Sequence, residues 1–390
     1  MPDHLLLALT LLWGLASSGF LFAIGRTYFF RETLPLVTGD ARNRLPFITL
    51  VIPARNEEHN IGICLEGIIA LDYPVERLQV VVVNDHSTDA TRERVADYAR
   101  RYSHIELVEA TALPEGWMGK AHGCWMGAGK ATGEWVAFID ADTYVRPPLL
   151  TAAITYAQHH KIDLLSIIPF QIVSSVQERV WLPGFFLGIA ASINFKRVND
   201  PEDPYALANG QFLLFRREFY DAIGGHEAIR GEISDDLAFA ARAKEFGQNY
   251  YCLFGDDLVE TRMYRNLTEI WRGFSKNLAE IMGARHWGGV IGHAGKSMLV
   301  GLGFLVLPTV TAVSWLCCAA LPGNALLLLI ALMATVMGIT FMAVCRELRV
   351  PLRYAAMCAL GLLLHGAVLI NSYRKKVGGV REWKGRHYNF

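Results

Sequence analysis

Asp140 and Asp142 stand one residue apart at the end of the apolar run Val136-Ala-Phe-Ile139. That run is short, apolar on both faces and bounded by Gly133 and Pro147-Pro148, which suits a central strand of a parallel sheet. Open α/β sheets bind ligands in the crevice beyond the carboxyl ends of their strands, so both carboxylates would face a bound group. Hard oxygen donors there suit Mg²⁺ or Mn²⁺, cations that keep several waters and take one or two protein carboxylates beside a diphosphate. A lone Asp-x-Asp is also the composition of a solvated turn; the neighbouring clusters favour the site.

Two further polar clusters end apolar runs. Pro53-Ala-Arg-Asn-Glu-Glu58 would set Pro53, Arg55 and Glu57 on the edge where a nucleotide sits, and Asn84-Asp-His-Ser-Thr-Asp89 would join it there. A carboxylate is a strong charge-assisted acceptor, so Asp85 is suited to accept the N3–H of a uracil ring. Ser87 or Thr88 would cap the following helix. Lys120, after Trp117-Met-Gly119, precedes a helix start where its ammonium and the free backbone N–H groups would both meet phosphate. The twelve histidines, His86 and His226 among them, show no ligand spacing. The seven cysteines read as reduced structural thiols, with neither a disulfide framework nor a zinc site.

Alternating elements would position these groups. Strands are expected at 47–52, 80–83, 105–108 and 136–139, with helices at 61–70, 91–101 and 121–131. Helices of that length between strands imply right-handed crossovers, hence an α/β fold with a mostly parallel, doubly wound sheet. Beyond that region the composition changes. The chain has 390 residues, 52% of them hydrophobic and 19% charged, with a net charge of zero. Such a balance excludes bulk nucleic-acid binding and points to a membrane. Residues 5–24 form an apolar segment of about 20 residues, the length that crosses a bilayer. Residues 298–320, 325–344 and 354–370 are three more, making one amino-terminal and about three carboxyl-terminal membrane helices. The expected domains are an anchor at 1–27, a catalytic domain at 45–285, hydrophobic segments at 297–372 and a basic tail at 373–390.

Arg26, Arg31, Arg42 and Arg44 after the first span place the catalytic domain in the cytoplasm, anchored to the cell membrane. Three later spans would leave the tail outside, whereas Arg374, Lys375, Lys376, Arg381, Lys384 and Arg386 belong inside. One segment would then be re-entrant or lie flat. The apolar stretch 180–189 is too short to span; it is either core or an interfacial segment sinking Trp181, Phe185 and Phe186 into headgroups.

In this order, Val51-Ile-Pro-Ala-Arg-Asn-Glu-Glu58, Val83-Asn-Asp-His-Ser-Thr-Asp-Ala-Thr91, Gly119-Lys120, Asp140-Ala-Asp142 and Ser234-Asp-Asp-Leu-Ala238 resemble the motifs of family 2 glycosyltransferases. Leu113-Pro-Glu-Gly-Trp-Met-Gly-Lys120 and Trp383-Lys-Gly-Arg-His-Tyr388 look like the membrane-anchored branch that glycosylates carotenoids and hopene-associated lipids. The resemblance implies a GT-A-like nucleotide-diphospho-sugar fold, a UDP-sugar donor, a lipid acceptor in the membrane, and Mg²⁺ or Mn²⁺. By position, Asp85 would bind uridine, Asp142 the metal, and Asp140 ribose or metal. Asp236 would be the general base, with Asp235 where the family usually has Glu. An inverting transfer needs a carboxylate to take the acceptor proton; the same two acids would also favour the positive end of a helix.

Asn209-Gly-Gln-Phe-Leu-Leu-Phe-Arg-Arg217 resembles the acceptor-side strand, with Gly210 open to substrate, though an edge strand would read the same. The Gln-x-x-Arg-Trp of processive synthases is missing. Thr261-Arg-Met-Tyr-Arg265 and Trp271 occupy its region, with Arg262 or Arg265 suited to clamp diphosphate and Trp271 on the acceptor side. A single hexose transfer follows. A polyprenyl-phosphate sugar synthase and a non-catalytic membrane scaffold are the alternatives.

Overall fold

In chain order, α1 (Asp3–Phe29) precedes β1 (Ile48–Ala54), α2 (Ile61–Ile69), β2 (Leu78–Asn84), α3 (Thr91–Arg101) and β3 (Ile105–Glu109). Next come α4 (Gly119–Ala128), β4 (Trp135–Ile139), β5 (Thr143–Val145), α5 (Leu149–His159), β6 (Leu164–Ile168) and β7 (Phe170–Gln171). They are followed by α6 (Val176–Ala190), α7 (Phe195–Val198), β8 (Phe212–Arg216), α8 (Arg217–Ala222), α9 (Asp235–Glu245), β9 (Tyr250–Phe254) and β10 (Val259–Thr261). The last elements are α10 (Leu267–Ile281), α11 (Trp287–Cys318), α12 (Asn324–Glu347), α13 (Cys358–Val377), β11 (Arg381–Trp383) and β12 (Arg386–Tyr388). This computed structural model describes residues 3–36, 45–247, 249–318, 324–379, 381–383 and 386–388; Arg42, Arg44 and Lys384 of the basic clusters, and residues 319–323 between two expected spans, lie outside them.

The chain divides into two units. An α/β unit comprises Arg31–Ile172, Phe195–Met263 and Val380–Phe390, and a helical unit comprises Met1–Phe30, Val173–Asn194 and Tyr264–Gly379. Residues 173–194 and 264–285, inside the span expected at 45–285, fall in the helical unit, where α6 and α10 bury their apolar faces among helices. The end of the basic tail rejoins the α/β unit.

In the α/β unit the main sheet has the order β3-β2-β1-β4-β8-β6-β9. All pairs are parallel except those of β8, which runs antiparallel to β4 and β6. Leu50, Ile52, Val80 and Val82 point to one core with α2 and α5, while Val51, Val81 and Val83, also fully buried, point to the opposite face. Side chains alternate with period two, so a strand buried on both faces must be apolar throughout. Each such residue contributes about 1.5–3 kcal/mol on burial. A Cβ on Gly127 of α4 would stand 2.3 Å from Val51 Cγ1, so α4 lies directly on that second face. An edge position for β8 is corrected by its two neighbours: Phe212, Leu213, Leu214 and Phe215 are all buried, as an interior strand requires. Its register pairs Phe212 with Ile139, which brings residues 209–211 beside the carboxyl end of β4. A small second sheet, β5-β10-β7, follows the Asp-x-Asp.

Among the described residues, the helical unit contains four helices long and apolar enough to cross a membrane, at Leu5–Phe29, Trp287–Val313, Leu326–Glu347 and Leu352–Val377. The stretch at 180–189 lies within α6, opened by a capping box between Ser175 and Glu178. Phe185 is fully buried against Phe274, with ring centroids 4.4 Å apart, so it belongs to the helical core and not to a headgroup layer. A Cβ on Gly184 would meet the Cys358 carbonyl at 1.8 Å, and one on Gly361 the Trp181 carbonyl at 2.4 Å. The α6 and α13 backbones touch there, which only glycine allows.

Candidate active site

Three elements converge at the carboxyl end of β4. The turn after β4 carries Asp140, the register of β8 places Gly210, and α9 begins with Asp235 and Asp236. Lys120, in the first turn of α4, ties them together: its Nζ lies 2.9 Å from Asp140 Oδ1 and 3.5 Å from Asp235 Oδ2. Gly210 N–H donates to Asp236 Oδ2 at 2.9 Å, and Leu237 N–H to Asp236 Oδ1 at 2.8 Å. The N–H of Asp236 itself donates to Asp235 Oδ1 at 3.0 Å. A side chain at Gly210 would crowd this cluster, since its Cβ would sit 3.0 Å from Lys120 Nζ and 3.3 Å from Asp235 Oδ1. Gly210 is required by the close approach of backbone to carboxylate.

The charges set the proton affinities. Burial and the Asp235 charge raise the Asp236 carboxyl, against the pull of Lys120 and the two N–H donors, to about 7. Burial raises Asp140 as well, with Lys120 opposing and Asp235 reinforcing. Burial opposes the Lys120 charge, yet Asp140, Asp235 and Asp236 outweigh it and hold the ammonium well above its ordinary value. Lys120 therefore stays charged as the counter-ion of an acidic cluster, beyond the phosphate contact expected of it.

The metal expectation is tested by the donor set. Burial first, then the charges of Asp142, Glu57 and Asp140, push the Cys64 thiol up, so the three carboxylates lie within electrostatic reach of it. Carboxylates are the hard oxygen donors that a divalent cation of the Mg²⁺ or Mn²⁺ type takes. The Asp142 carbonyl accepts from Thr261 Oγ1 at 3.2 Å, and Thr261 Oγ1 in turn accepts from Gln211 Nε2 at 2.9 Å. That chain pins the turn, and neither residue had been anticipated; Thr261 is far off in sequence and reaches Asp142 only through the second sheet.

The nucleotide edge is built by two loops that grip each other. Arg55 Nη1 donates to the Asp85 carbonyl at 2.7 Å, Asn56 N–H to Ser87 Oγ at 3.1 Å, and Glu57 N–H to Thr91 Oγ1 at 2.7 Å. Asn56 and His86 both have φ of 53°, left-handed conformations that the mutual bonds hold in place. The cap of α3 differs from expectation. Asp89 Oδ1 accepts from Thr91 N–H at 3.0 Å and Glu58 Oε2 from Ala90 N–H at 3.2 Å, while Ser87 serves Asn56. Asp85 is buried beneath His86 and Arg386, contacts of 3.1 Å and 2.8 Å. Pro53 ends β1 against α4, 3.3 Å from where a Gly123 Cβ would be.

Arg262 follows β10 in the α/β unit, whereas Arg265 and Trp271 belong to the helical unit. There the Arg265 N–H donates to Glu269 Oε2 at 2.8 Å and its carbonyl accepts from Ser175 Oγ at 3.0 Å. His226 was set aside from sequence, yet it is fully buried with Cys124 and Asp235, their ligand atoms within 4.8 Å. Burial holds its ring neutral, at about 3, and Nδ1 pairs with the Tyr220 hydroxyl at 2.8 Å. Lys120 on Asp235 already supplies a cation there.

Residues 49–224 match the profile of Glycosyl transferase family 2. Over 236 residues the chain is 32% identical to 4,4'-diaponeurosporenoate glycosyltransferase of Staphylococcus aureus strain MRSA252, and 31% to that of strain USA300. The matched region is 60% of this chain, and the chain spans 60% of the length of these relatives. Mannosyltransferase PcManGT from Pyrobaculum calidifontis, solved in complex with GDP-Man and Mn2+, is 19% identical; the match covers 97% of this chain and 99% of that one, with a TM-score of 0.56. That likeness is one of fold. Residues 49–224 thus carry the family 2 glycosyl transferase profile, and the chain shares its fold with that mannosyltransferase.

Proposed function

We propose that this chain is an inverting glycosyltransferase that moves one hexose from a UDP-sugar to a hydroxyl or carboxyl of a carotenoid-type or related membrane lipid. The observation that carries the reading is Asp236: an acid held by two backbone N–H groups, raised to about 7, on the same sheet edge as Asp85 and Asp142. A general base works best with a pKa near the working pH.

Asp236 takes the acceptor's O–H proton as that oxygen attacks the anomeric carbon from the face opposite the diphosphate. The new carbon–oxygen bond forms as the bond to the diphosphate breaks, and the nucleoside diphosphate departs. Lys120 and the N–H groups of Gly210 and Leu237 keep Asp236 ionisable in a buried setting. Asp142 and Asp140 would hold Mg²⁺ or Mn²⁺, which offsets the charge that develops on the leaving diphosphate. A hydroxyl acceptor would use such a base, whereas a carboxylate acceptor, as in the diaponeurosporenoate of the relatives' names, would arrive already ionised. The names of the curated relatives support a carotenoid-type acceptor. The four long apolar helices among the described residues support a membrane setting, and the arginines after the first span favour a cytoplasmic α/β unit.

The test incubates purified protein in lipid with a panel of UDP-sugars and Mn²⁺, following UDP release with and without an extracted membrane-lipid fraction. Lipid-stimulated release from one donor is the expected result. Release from none, with the protein folded, would overturn the reading.

A further inference from the structure

β11 and β12 pair antiparallel, with Arg381 opposite Tyr388 and Trp383 opposite Arg386, and both belong to the α/β unit. The Arg386 guanidinium reaches the nucleotide edge: Nη1 lies 2.8 Å from Asp85 Oδ2. The other carboxylate oxygen, Asp85 Oδ1, is 3.1 Å from His86 Nδ1. Arg55 Nη1 stands 3.9 Å from Oδ2 and is engaged by the Asp85 carbonyl at 2.7 Å. The Asp85 side chain is 3% exposed and that of Arg386 22%. Both acceptor oxygens of the base-recognising acid are therefore taken by side chains of this chain.

With Asp85 buried beneath these groups, a base gains that carboxylate by displacing one of them. Arg386 is the more consequential, since it comes from the far end of the sequence, 301 residues away, and keeps access to solvent. Freeing it exposes a planar guanidinium whose rigid fork matches carboxylate or phosphate. A nucleoside alone would take Asp85 and leave that fork without an anion. A nucleoside diphosphate takes the carboxylate with its base and offers its own oxygens in exchange.

We propose that Arg386 is a specificity-determining residue of the donor site, holding Asp85 until a nucleoside diphosphate arrives and then turning from carboxylate to phosphate. The inference rests on Asp85 as the base-recognising acid of the proposed donor site. It makes base recognition conditional on the phosphates, so that nucleosides and monophosphates occupy the site poorly.

The test measures, by calorimetry on the full chain in lipid nanodiscs with Mg²⁺, the binding of uridine, UDP, guanosine and GDP to wild type, Arg386→Ala and Arg386→Lys. Thermal unfolding confirms that each variant is folded. In Arg386→Ala the nucleoside should bind about tenfold more tightly and the diphosphate about tenfold more weakly, the size of one charge-assisted hydrogen bond. Arg386→Lys should recover part of the diphosphate affinity. Opposite shifts are the signature; a merely structural contact would weaken both ligands together, and that result, or no shift in either, overturns the inference. Wild-type binding of the guanosine pair alone would overturn the uridine donor while the opposite shifts still decide the role of Arg386. Binding of neither pair overturns both.

Discussion

Asp236 sits under opposing influences whose balance sets its chemistry. Burial and Asp235 favour its protonated form, and Lys120 with two N–H donors favour the carboxylate. Activity should therefore rise with pH through about 7, as the base ionises. Removing the Lys120 charge withdraws support from the carboxylate, so Lys120→Met should move the midpoint of the kcat/KM profile to higher pH. A midpoint unmoved, or moved to acid, would refute the coupling. Asp236→Asn should lower turnover by about 10²–10⁴. The sign for stability is opposite. A carboxyl raised on folding binds its proton more tightly in the native state, so its contribution is full below the ordinary carboxylate range and is lost as pH rises through about 7. Asp236→Asn should thus melt no lower than wild type at pH 8, a measurement that separates a catalytic loss from an unfolded protein.

At the scale of elements, the helices and strands of the first half form close to their expected bounds because their patterns are local. The expected helix at 91–101 is α3, and the strand at 136–139 is β4 with Trp135 added. Helix α4 begins at Gly119, two residues before the expected start, and that shift puts Lys120 inside the first turn, facing the acids. The contact of α6 with α13 has no such local signature. Two apolar helices read alike wherever their glycines fall, and only packing reveals that Gly184 and Gly361 are where the backbones meet. Gly361→Ala should accordingly destabilise the helical unit by about 1–3 kcal/mol through overpacking. Thermal unfolding of the purified protein checks this, and an unchanged midpoint would mean the helices separate without cost.

At the scale of the molecule, the chain leaves the α/β unit after Met263 and rejoins it from Val380. If that unit lies on one face of a membrane, the intervening segments are expected to cross it an even number of times. The candidate at Leu352–Val377 is 61% buried within the protein, against 28% for Trp287–Val313 and 22% for Leu326–Glu347. The expectation that follows is that the latter two form the crossing pair and that α13 stays on one side. Single cysteines placed at Arg349 and Phe390 in a cysteine-free background should both react with a membrane-impermeant maleimide from the side of the α/β unit. Labelling from opposite sides would restore three crossings.

The sequence by itself determined the parallel α/β architecture, the apolar helices and the acidic clusters at strand ends, because hydrophobic period and chain order are local properties. It pointed to Asp85, Asp140, Asp142, Asp235 and Asp236 because each follows an apolar run or opens a helix. Only the tertiary structure decided that Lys120 is their counter-ion, that Gly210 holds Asp236, that Thr261 pins Asp142 and that Arg386 covers Asp85. Each of these depends on distances between segments remote along the chain. Hydrogen bonds and ion pairs act over a few ångströms, and which remote segments come that close is fixed by strand order and register, not by any local pattern.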